Sequence, residues 1–294
     1  MFPEKWITRI ESILDRIDTR LAPTSATINW EAYPTVAYRW CGGREAIRPI
    51  RYPTQIALHD LYFVEYQRNL LEQNTRQFIQ KKPANNVLLT GARGTGKSSL
   101  VRACLNRFAP DGLRLIEVDK NNLRDIFDIS ELIAGREERF ILYCDDLSFD
   151  EGDSSYKSLK SALDGSVSAQ PENMLIYATS NRRHLLPERL SDNTGYQQGA
   201  DGEIHPGEAV EEKISFSDRF GLWLSFYPFT QEEYLTIAAH WLRTLGCPED
   251  LVTTSSTRRE ALQWALHRGS RSGRTAWQFA RDLAGRTLSN ADPA

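Results

Sequence analysis

The chain has 294 residues, and its 36 Lys and Arg against 39 Asp and Glu leave a formal net charge of -3. Its 40% hydrophobic and 26% charged residues match an average globular protein, which excludes a disordered or fibrous chain. Because the net charge is small, contact with nucleic acid would need a local basic patch. No apolar run approaches the ~20 residues of a membrane helix, and the first residues lack the pattern of a secretory signal, so we expect a soluble, cytoplasmic protein.

The first 83 residues predict a mostly helical accessory region, 1–83. Apolar residues recur at helical spacing over 7–21, which predicts an amphipathic helix. Residues 22–53 mix prolines, glycines and large aromatic side chains, a composition typical of irregular or short-stranded structure. Helical periodicity returns over 58–80 and ends before Pro83.

Beyond Pro83 short apolar strands alternate with helical stretches, which predicts an α/β core over 84–229 with a mainly parallel sheet. The strands are nearly continuous in apolar residues, as expected where helices cover both faces of a sheet. Five strands are predicted, at 87–90, 113–118, 140–144, 174–178 and 222–226. Between the last two of them, the polar, glycine-rich residues 193–202 predict a mobile loop.

The strand pattern ends at Pro228, and a helical domain over 230–294 is predicted to follow. Thr230, with Glu233 three residues later, has the spacing of a capping box at the start of a helix. Helical periodicity then predicts helices at about 231–245, 257–268 and 275–287. We therefore expect an all-helical C-terminal lid.

The strongest functional signal is a G-x-x-x-x-G-K-[ST] motif placed directly between a predicted strand and a predicted helix. In this P-loop, backbone N–H groups and the helix N-terminus face the phosphates, and the lysine reaches the β and γ phosphates. The serine hydroxyl ligates Mg²⁺, which with ATP is the expected cofactor pair. The residues assigned to nucleotide binding are Gly91, Ala92, Arg93, Gly94, Thr95, Gly96, Lys97, Ser98 and the adjacent Ser99.

A second acidic element is expected to complete the metal site. The apolar strand predicted at 140–144 ends in Asp145 and Asp146, which fits a Walker B element. We assign Asp145, with Ser98, to the metal, and Asp146 to orienting or deprotonating the attacking water. The nearby acids Asp150, Glu151 and Asp153 are alternatives to Asp146.

A polar cluster follows the strand predicted at 174–178. It consists of Thr179, Ser180 and Asn181 at the carboxyl end of that strand. Since ligands bind at the carboxyl ends of parallel strands, the amide of Asn181 is our candidate for bridging the γ-phosphate and the water. An ordinary turn asparagine is the alternative interpretation.

The order of these parts resembles the AAA+ superfamily of ATPases over residues 84–294. Four longer strings resemble more specifically a bacterial family of predicted AAA+ ATPases of unknown function. The resemblance implies a P-loop NTPase core with a five-stranded, mainly parallel sheet and a helical lid, but it names no substrate. The strings are Pro83-Ala84-Asn85-Asn86-Val87-Leu88-Leu89, Asp145-Asp146-Leu147-Ser148-Phe149, Glu203-Ile204-His205-Pro206-Gly207 and Ser217-Asp218-Arg219-Phe220-Gly221-Leu222-Trp223.

The resemblance also implies roles for two arginines and an oligomer. Arg219 looks like an arginine finger that reaches the γ-phosphate bound by a neighbouring subunit, so a homo-oligomeric ring or filament is expected. Arg274 looks like the lid's phosphate sensor, with Arg271 as its competitor. Such ATPases usually carry Asp-Glu in Walker B, and the shorter Asp146 makes slow hydrolysis an open alternative.

Three functions are weighed. The first is an ATPase that hydrolyses Mg-ATP at a subunit interface to remodel a protein or nucleic-acid target, with residues 1–83 recognising it. The second is a slowly hydrolysing, ATP-controlled switch or loader for such a partner. The third, phosphotransfer to a small molecule, ranks last because the lid and arginine placements suit the first two better.

Overall fold

The computed structural model describes residues 35–42, 47–149, 154–164, 170–182, 197–198, 204–205 and 217–288. The amphipathic helix predicted at 7–21 lies outside these residues, as does most of the loop predicted at 193–202. The alternative acids Asp150, Glu151 and Asp153 also lie outside them. Among the described residues, no helix combines the length and apolarity needed to cross a membrane.

The first half of the fold runs from an N-terminal hairpin to the P-loop helix and beyond. Its strands are β1 (Ala37–Trp40), β2 (Ile47–Pro49), β3 (Val87–Gly91), β4 (Leu113–Glu117) and β5 (Arg139–Cys144). Its helices are α1 (Glu65–Ile79), α2 (Lys97–Phe108) and α3 (Ile126–Ile133), with 3₁₀ turns at Leu58–Asp60, Ala109–Asp111 and Lys120–Asp125.

The second half completes the sheet and adds the lid. Helix α4 (Ser154–Asp164) leads to β6 (Met174–Ser180), and a small ladder pairs β7 (Gln197–Gln198) with β8 (Ile204–His205). Strand β9 (Leu222–Phe226) closes the core. The lid contains α5 (Gln231–Thr244), α6 (Glu249–Val252), α7 (Ser255–His267) and α8 (Gly273–Leu288).

The main sheet confirms the predicted α/β class and corrects the predicted number of strands. Its order is β2-β1-β4-β5-β6-β3-β9, and every pairing is parallel except β1 with β2. All five predicted strands are present, but the sheet has seven. The hairpin of β1 and β2 adds to the edge of β4 because its aromatic residues, Tyr38 and Trp40, are buried against the core.

Helices cover both faces of the sheet, which explains the continuous apolar strands. Successive strand residues point to opposite faces and join two separate clusters of buried side chains. One cluster joins Leu88, Phe140 and Ile176 to α3 and α4, and the other joins Leu89, Ile141 and Tyr177 to α1 and α2. Hydrophobic burial on both faces therefore holds the strands in place, including the carboxyl end of β3, where the P-loop begins.

Helix α1 is shorter than the sequence predicts. The predicted helix spans 58–80, but the helix begins at Glu65 because Phe63 has a φ of 61°. The Asp60 carboxylate accepts a hydrogen bond from the Ala57 N–H at 2.9 Å, and this contact closes a 3₁₀ turn in place of the first helical turns.

Two asparagines from the string before β3 fasten the sheet to its neighbours. The Asn74 side chain of α1 donates to the Asn85 carbonyl and to the Tyr177 hydroxyl, at 2.9 and 3.1 Å. The Asn86 side chain accepts from the Ile176 N–H at 2.8 Å. These contacts pack helix α1 directly against the core and give the family-like string a structural role.

The lid confirms the predicted capping box and its helices. The Thr230 hydroxyl accepts from the Glu233 N–H at 3.3 Å, while the Glu233 carboxylate accepts from the Thr230 N–H at 2.7 Å. The helices enclose a core around the buried rings of Tyr234 and Phe279. The Tyr234 hydroxyl donates to the Ala261 carbonyl at 3.0 Å, which ties α5 to α7.

Candidate active site

The P-loop starts where β3 passes closest to the neighbouring strand β9. Gly91, the last residue of β3, has a φ of 132°, and a Cβ built there would lie 1.9 Å from the Phe226 carbonyl oxygen. Only glycine can occupy this position without moving the strands. The chain therefore turns sharply off the sheet before helix α2 begins at Lys97.

The lid packs directly on the middle of the loop. Gly94 has a φ of 75°, and a Cβ there would lie 2.7 Å from the Ser272 hydroxyl oxygen. The Gly273 N–H at the start of α8 donates to the Gly94 carbonyl at 2.8 Å. The N-terminus of α8 is thus placed against the phosphate loop.

Lys97 is folded into the loop with only 6% of its surface exposed. Its ammonium donates to the carbonyls of Gly91 and Ala92 at 2.6 and 2.7 Å, and to Asn181 Oδ1 at 3.1 Å. Burial lowers the pKa of Lys97 to about 8, against the opposing charges of Asp146 and Asp145. A buried cation of this kind favours a nearby anion, which would restore its ordinary pKa.

Asp145 is held by three hydroxyl groups. Its Oδ1 accepts from Ser98 Oγ, the Tyr143 hydroxyl and Thr179 Oγ1, each at 2.7 Å. Its Oδ2 lies 3.3 Å from Arg102 Nη2. Burial alone would raise the pKa of Asp145, but these hydrogen bonds and the Arg102 charge hold it below its ordinary value. The carboxylate therefore stays ionised beside Ser98, as a metal ligand requires.

Asp146 occupies a left-handed backbone position, with a φ of 51°. Its N–H donates to Thr179 Oγ1 at 2.9 Å, and its carboxylate accepts a hydrogen bond from Asn181 Nδ2. Arg93 Nη2 lies 3.9 Å from its Oδ2. Because Asn181 also contacts Lys97, its amide connects the glycine loop with the acid pair that follows β5.

The two lid arginines weighed from the sequence differ in position. Arg274 lies in the first turn of α8, and its Cβ is 3.6 Å from a Cβ built on Gly94. Its charge, with that of Arg93, contributes to lowering the pKa of Lys97, after the larger effect of burial. Arg274 thus lies beside Gly94 in the first turn of α8, whereas Arg271 lies two residues before that helix.

Arg219 is not brought to the P-loop of its own chain. It precedes β9, which runs parallel to β3 in register from Val87 and Leu222 to Gly91 and Phe226. Five residues of strand span about 17 Å, so Arg219 lies near the opposite end of the sheet from the loop. There its guanidinium pairs with Asp164 at the end of α4.

Sequence reasoning missed several residues of this site. Tyr143 lies in β5, two positions before Asp145, which directly follows the strand. Because side chains two positions apart in an extended chain lie on the same side, this spacing was a signal for Tyr143. For Thr179 the sequence indicates a polar cluster at the end of a strand but not its contact with Asp145. Phe63 lies against Phe229 with ring centroids 6.5 Å apart, and Phe229 lies 3.9 Å from a Cβ built on Gly273. No sequence signal predicted these rings beside the loop.

Solved structures with similar folds share little sequence with this chain. The Thermotoga maritima RuvB Holliday junction branch migration motor is 14% identical with a TM-score of 0.41, over 77% of this chain and 73% of that chain. A chain of the E. coli MS115-1 HORMA:CdnC:Trip13 complex is 12% identical with a TM-score of 0.46, over 76% and 90%. A DNA replication initiation factor is 15% identical with a TM-score of 0.45, over 79% and 64%.

The sequence itself identifies the family. A comparison with curated proteins finds no match. The family model described as "Protein of unknown function (DUF815)" matches residues 33–287, which include the P-loop, the two acids, Arg219 and most of the lid. This confirms the resemblance to a family of unknown function that the four strings indicate, and the chain belongs to the DUF815 family.

Proposed function

We propose that this protein is an Mg-ATP-dependent ATPase whose active site is completed by a neighbouring copy, and that it remodels a macromolecular target. One observation carries the proposal. Lys97, Asn181 and Asp146 form a continuous hydrogen-bonded chain beside a glycine loop at the N-terminus of a helix. A lysine, a sensing amide and an acid in contact are the parts that phosphoryl transfer to water requires.

The loop residues fit a polyphosphate. Gly94 and Gly96 have φ angles of 75° and 103°, which only glycine adopts readily, so the backbone can turn its N–H groups inward. The first turn of α2 adds the positive end of a helix. Lys97, Arg93 and Arg274 supply three cations around this loop. The arrangement would hold the phosphates mainly by backbone donors and fixed positive charge.

The residues beside the loop also fit magnesium. Ser98 and Asp145 present a hydroxyl and an ionised carboxylate in direct contact, and oxygen is the donor that Mg²⁺ prefers. The Ser98 hydroxyl donates its proton to Asp145, which leaves its lone pairs for a cation. When bound, the ion neutralises charge that develops on the phosphate oxygens during transfer.

Asp146 and Asn181 are proposed to handle the attacking water. The amide of Asn181 donates to the Asp146 carboxylate while its oxygen accepts from Lys97. Both ends of the Asn181 amide are therefore held by hydrogen bonds, and the amide in turn orients the Asp146 carboxylate beside the glycine loop. A carboxylate in this position accepts a proton from water as the oxygen attacks the γ-phosphate.

The proposed oligomer rests on the position of Arg219. The guanidinium lies near the opposite end of the sheet from its own loop, so another chain would have to bring it to a γ-phosphate. Within one chain it is paired with Asp164, and assembly would have to exchange that carboxylate for the neighbour's phosphate.

A second candidate is an ATP-controlled switch that hydrolyses slowly. The observation that favours it is the Asp146 side chain, which is short and is already engaged by Asn181, with Arg93 nearby. A carboxylate held in this way activates water less well than a longer, freer glutamate. In that case nucleotide occupancy, and not turnover, would control binding of a partner.

The test compares wild-type protein with Lys97→Ala for ATP binding and for phosphate release. The variant removes the buried ammonium that bonds the loop carbonyls and Asn181. We expect hydrolysis to fall at least about 100-fold and ATP affinity to weaken, because electrostatic stabilisation of phosphoryl transfer is lost.

Lys82→Ala, which alters an exposed lysine before Pro83, is the control and should behave as wild type. Unchanged hydrolysis in Lys97→Ala would contradict the proposed function. Tight binding with fewer than one turnover per hour in the wild-type protein would favour the switch.

A further inference from the structure

We propose that Tyr143 and Thr179 are positioning residues for magnesium binding, because they fix the rotation of the Asp145 carboxylate beside Ser98. This inference rests on the proposed ATPase function and concerns the same site. Both hydroxyl groups are buried, and neither residue belongs to the glycine-loop motif or to the acid pair. Neither residue would touch nucleotide, and both would act through Asp145.

Tyr143 approaches Asp145 from along its own strand. Tyr143 is the penultimate residue of β5 and Asp145 directly follows the strand, and residues two positions apart in an extended chain turn their side chains to the same side. The phenol is 2% exposed, and its hydroxyl donates to Asp145 Oδ1 at 2.7 Å. Because the ring is packed rigidly in the core, the position of its hydroxyl is set by the sheet and does not depend on what binds at the loop.

Thr179 approaches from the neighbouring strand β6 and contacts both acids. Its hydroxyl donates to Asp145 Oδ1 at 2.7 Å and accepts from the Asp146 N–H at 2.9 Å. Its carbonyl also accepts from the Leu147 N–H at 2.7 Å. One residue that is 1% exposed therefore holds the carboxylate and the left-handed turn at Asp146 together.

The remaining contacts show why the carboxylate needs these two donors. Arg102 is 3.3 Å from Oδ2, longer than the hydroxyl contacts, and 39% of its side chain is exposed. Ser98 belongs to the proposed metal site itself. Tyr143 and Thr179 are therefore the donors that stay with Asp145 Oδ1 irrespective of what binds at Ser98. Losing a hydrogen bond to a charged group is costly, since the carboxylate can then rotate away.

The experiment measures how much Mg²⁺ tightens binding of a fluorescent, non-hydrolysable ATP analogue. The ratio of Kd with EDTA to Kd with Mg²⁺ is determined for wild type, Tyr143→Phe, Thr179→Val and Thr179→Ser. We expect Tyr143→Phe and Thr179→Val to lower this ratio about ten-fold or more, with Kd in EDTA changed less than about two-fold. Thr179→Ser keeps the hydroxyl and should keep the ratio.

Matched controls exclude a general effect of losing a buried hydroxyl. Tyr177→Phe removes a buried phenolic hydroxyl of β6 that is hydrogen-bonded to Asn74 and Thr75. Thr75→Val removes the Thr75 hydroxyl that is bonded to this Tyr177 hydroxyl. Neither group contacts Asp145, so both controls should keep the wild-type ratio. The kcat of each variant is recorded as a second readout and should follow the Mg²⁺ ratio. If Thr179→Val does not fold, Tyr143→Phe, which loses a single oxygen atom, carries the test.

The outcomes separate this inference from the function on which it rests. Wild-type protein that binds Mg-ATP, together with unaltered ratios in Tyr143→Phe and Thr179→Val, overturns the inference alone. An equal loss in Tyr177→Phe also overturns it, because the effect would then be structural. Wild-type protein that binds no nucleotide overturns the proposed function, and the inference with it.

Discussion

The two ends of the central sheet differ in their polar contacts. At the carboxyl end of β3, β5 and β6, the loop lysine, two acids and an asparagine form one hydrogen-bonded network, in which Thr179 joins the two acids. At the other end, Arg219 makes its contact with Asp164, far from that network. The first end is organised within the chain, whereas the second holds an arginine that its own chain keeps away from the loop. This difference is the basis of our proposal that the site is divided between two copies of one chain.

Among the variants that test this difference between the two ends, Arg219→Ala should lower the rate of ATP hydrolysis most. Removing the proposed arginine finger is expected to lower ATP hydrolysis by about 10³-fold, with ATP affinity little changed, because such a finger acts on the transition state. Arg259→Ala, which alters an exposed lid arginine, is the control for lost positive charge.

Mixing the inactive variants sharpens the same prediction. In an equimolar mixture of Arg219→Ala and Lys97→Ala, some interfaces combine an intact loop with an intact finger. Random assembly would restore about a quarter of wild-type interfaces, and hydrolysis should recover accordingly. No recovery from subunits shown to co-assemble would place Arg219 outside the neighbour's site.

Asp146→Asn tests the organised end of the sheet. Asparagine tolerates the left-handed φ of 51°, so the backbone should be kept while the proton acceptor is lost. We expect kcat to fall about 100-fold with ATP affinity within about two-fold of wild type. Asp128→Asn changes an exposed acid on α3 and serves as control. An unchanged kcat would mean that another group activates the water.

Gly94→Ala tests the contact between the loop and the lid. A Cβ at Gly94 would collide with Ser272, whereas one at Gly135 would meet nothing within 4 Å, and the two residues share φ angles of 75° and 74°. Both alanine variants should lose about 1–2 kcal/mol of unfolding free energy from backbone strain. Only Gly94→Ala should also weaken ATP binding, by about ten-fold. Equal ATP affinity in the two variants would show that the lid contact is dispensable.

The nucleotide-free protein should also show a pH dependence of stability that comes from Lys97. Burial lowers its pKa to about 8, so between pH 8 and the unfolded value of 10.5 the unfolded chain binds more protons. The unfolding free energy should therefore rise with pH in that window, because the buried charge is removed, by about 2 kcal/mol relative to Lys97→Met. Chemical denaturation of the nucleotide-free protein at several pH values measures it. A flat difference between the two proteins would contradict the assigned burial of the ammonium.

The sequence predicted the parts of this molecule that depend on local pattern. The P-loop between β3 and α2 was predictable because glycines, a lysine and a strand-to-helix change lie within a few residues. The capping box at Thr230 and the five core strands were predictable for the same reason. These features arise from turn geometry and periodic burial, which depend on residues close together in the sequence.

The rest depends on contacts between distant residues. The Arg219 contact with Asp164 joins positions 55 apart, and Thr179 meets Asp145 from 34 positions away. The register between strands decides such pairs, and a single sequence does not state that register. The composition of residues 22–53 indicated irregular or short-stranded structure, but it did not locate β1 and β2 or place them in the main sheet. These short strands lie among prolines and glycines, where burial against β4 outweighs weak local propensity.

The most direct test of a site divided between two copies is the ATP hydrolysis rate per subunit as a function of protein concentration, with Lys97→Ala as the blank. The division of the site predicts that the rate per subunit rises steeply with concentration and then saturates, because each site needs a neighbour's Arg219. Parallel measurement of assembly should show both transitions at the same concentration. A rate per subunit that is substantial and independent of concentration in monomeric protein would contradict it.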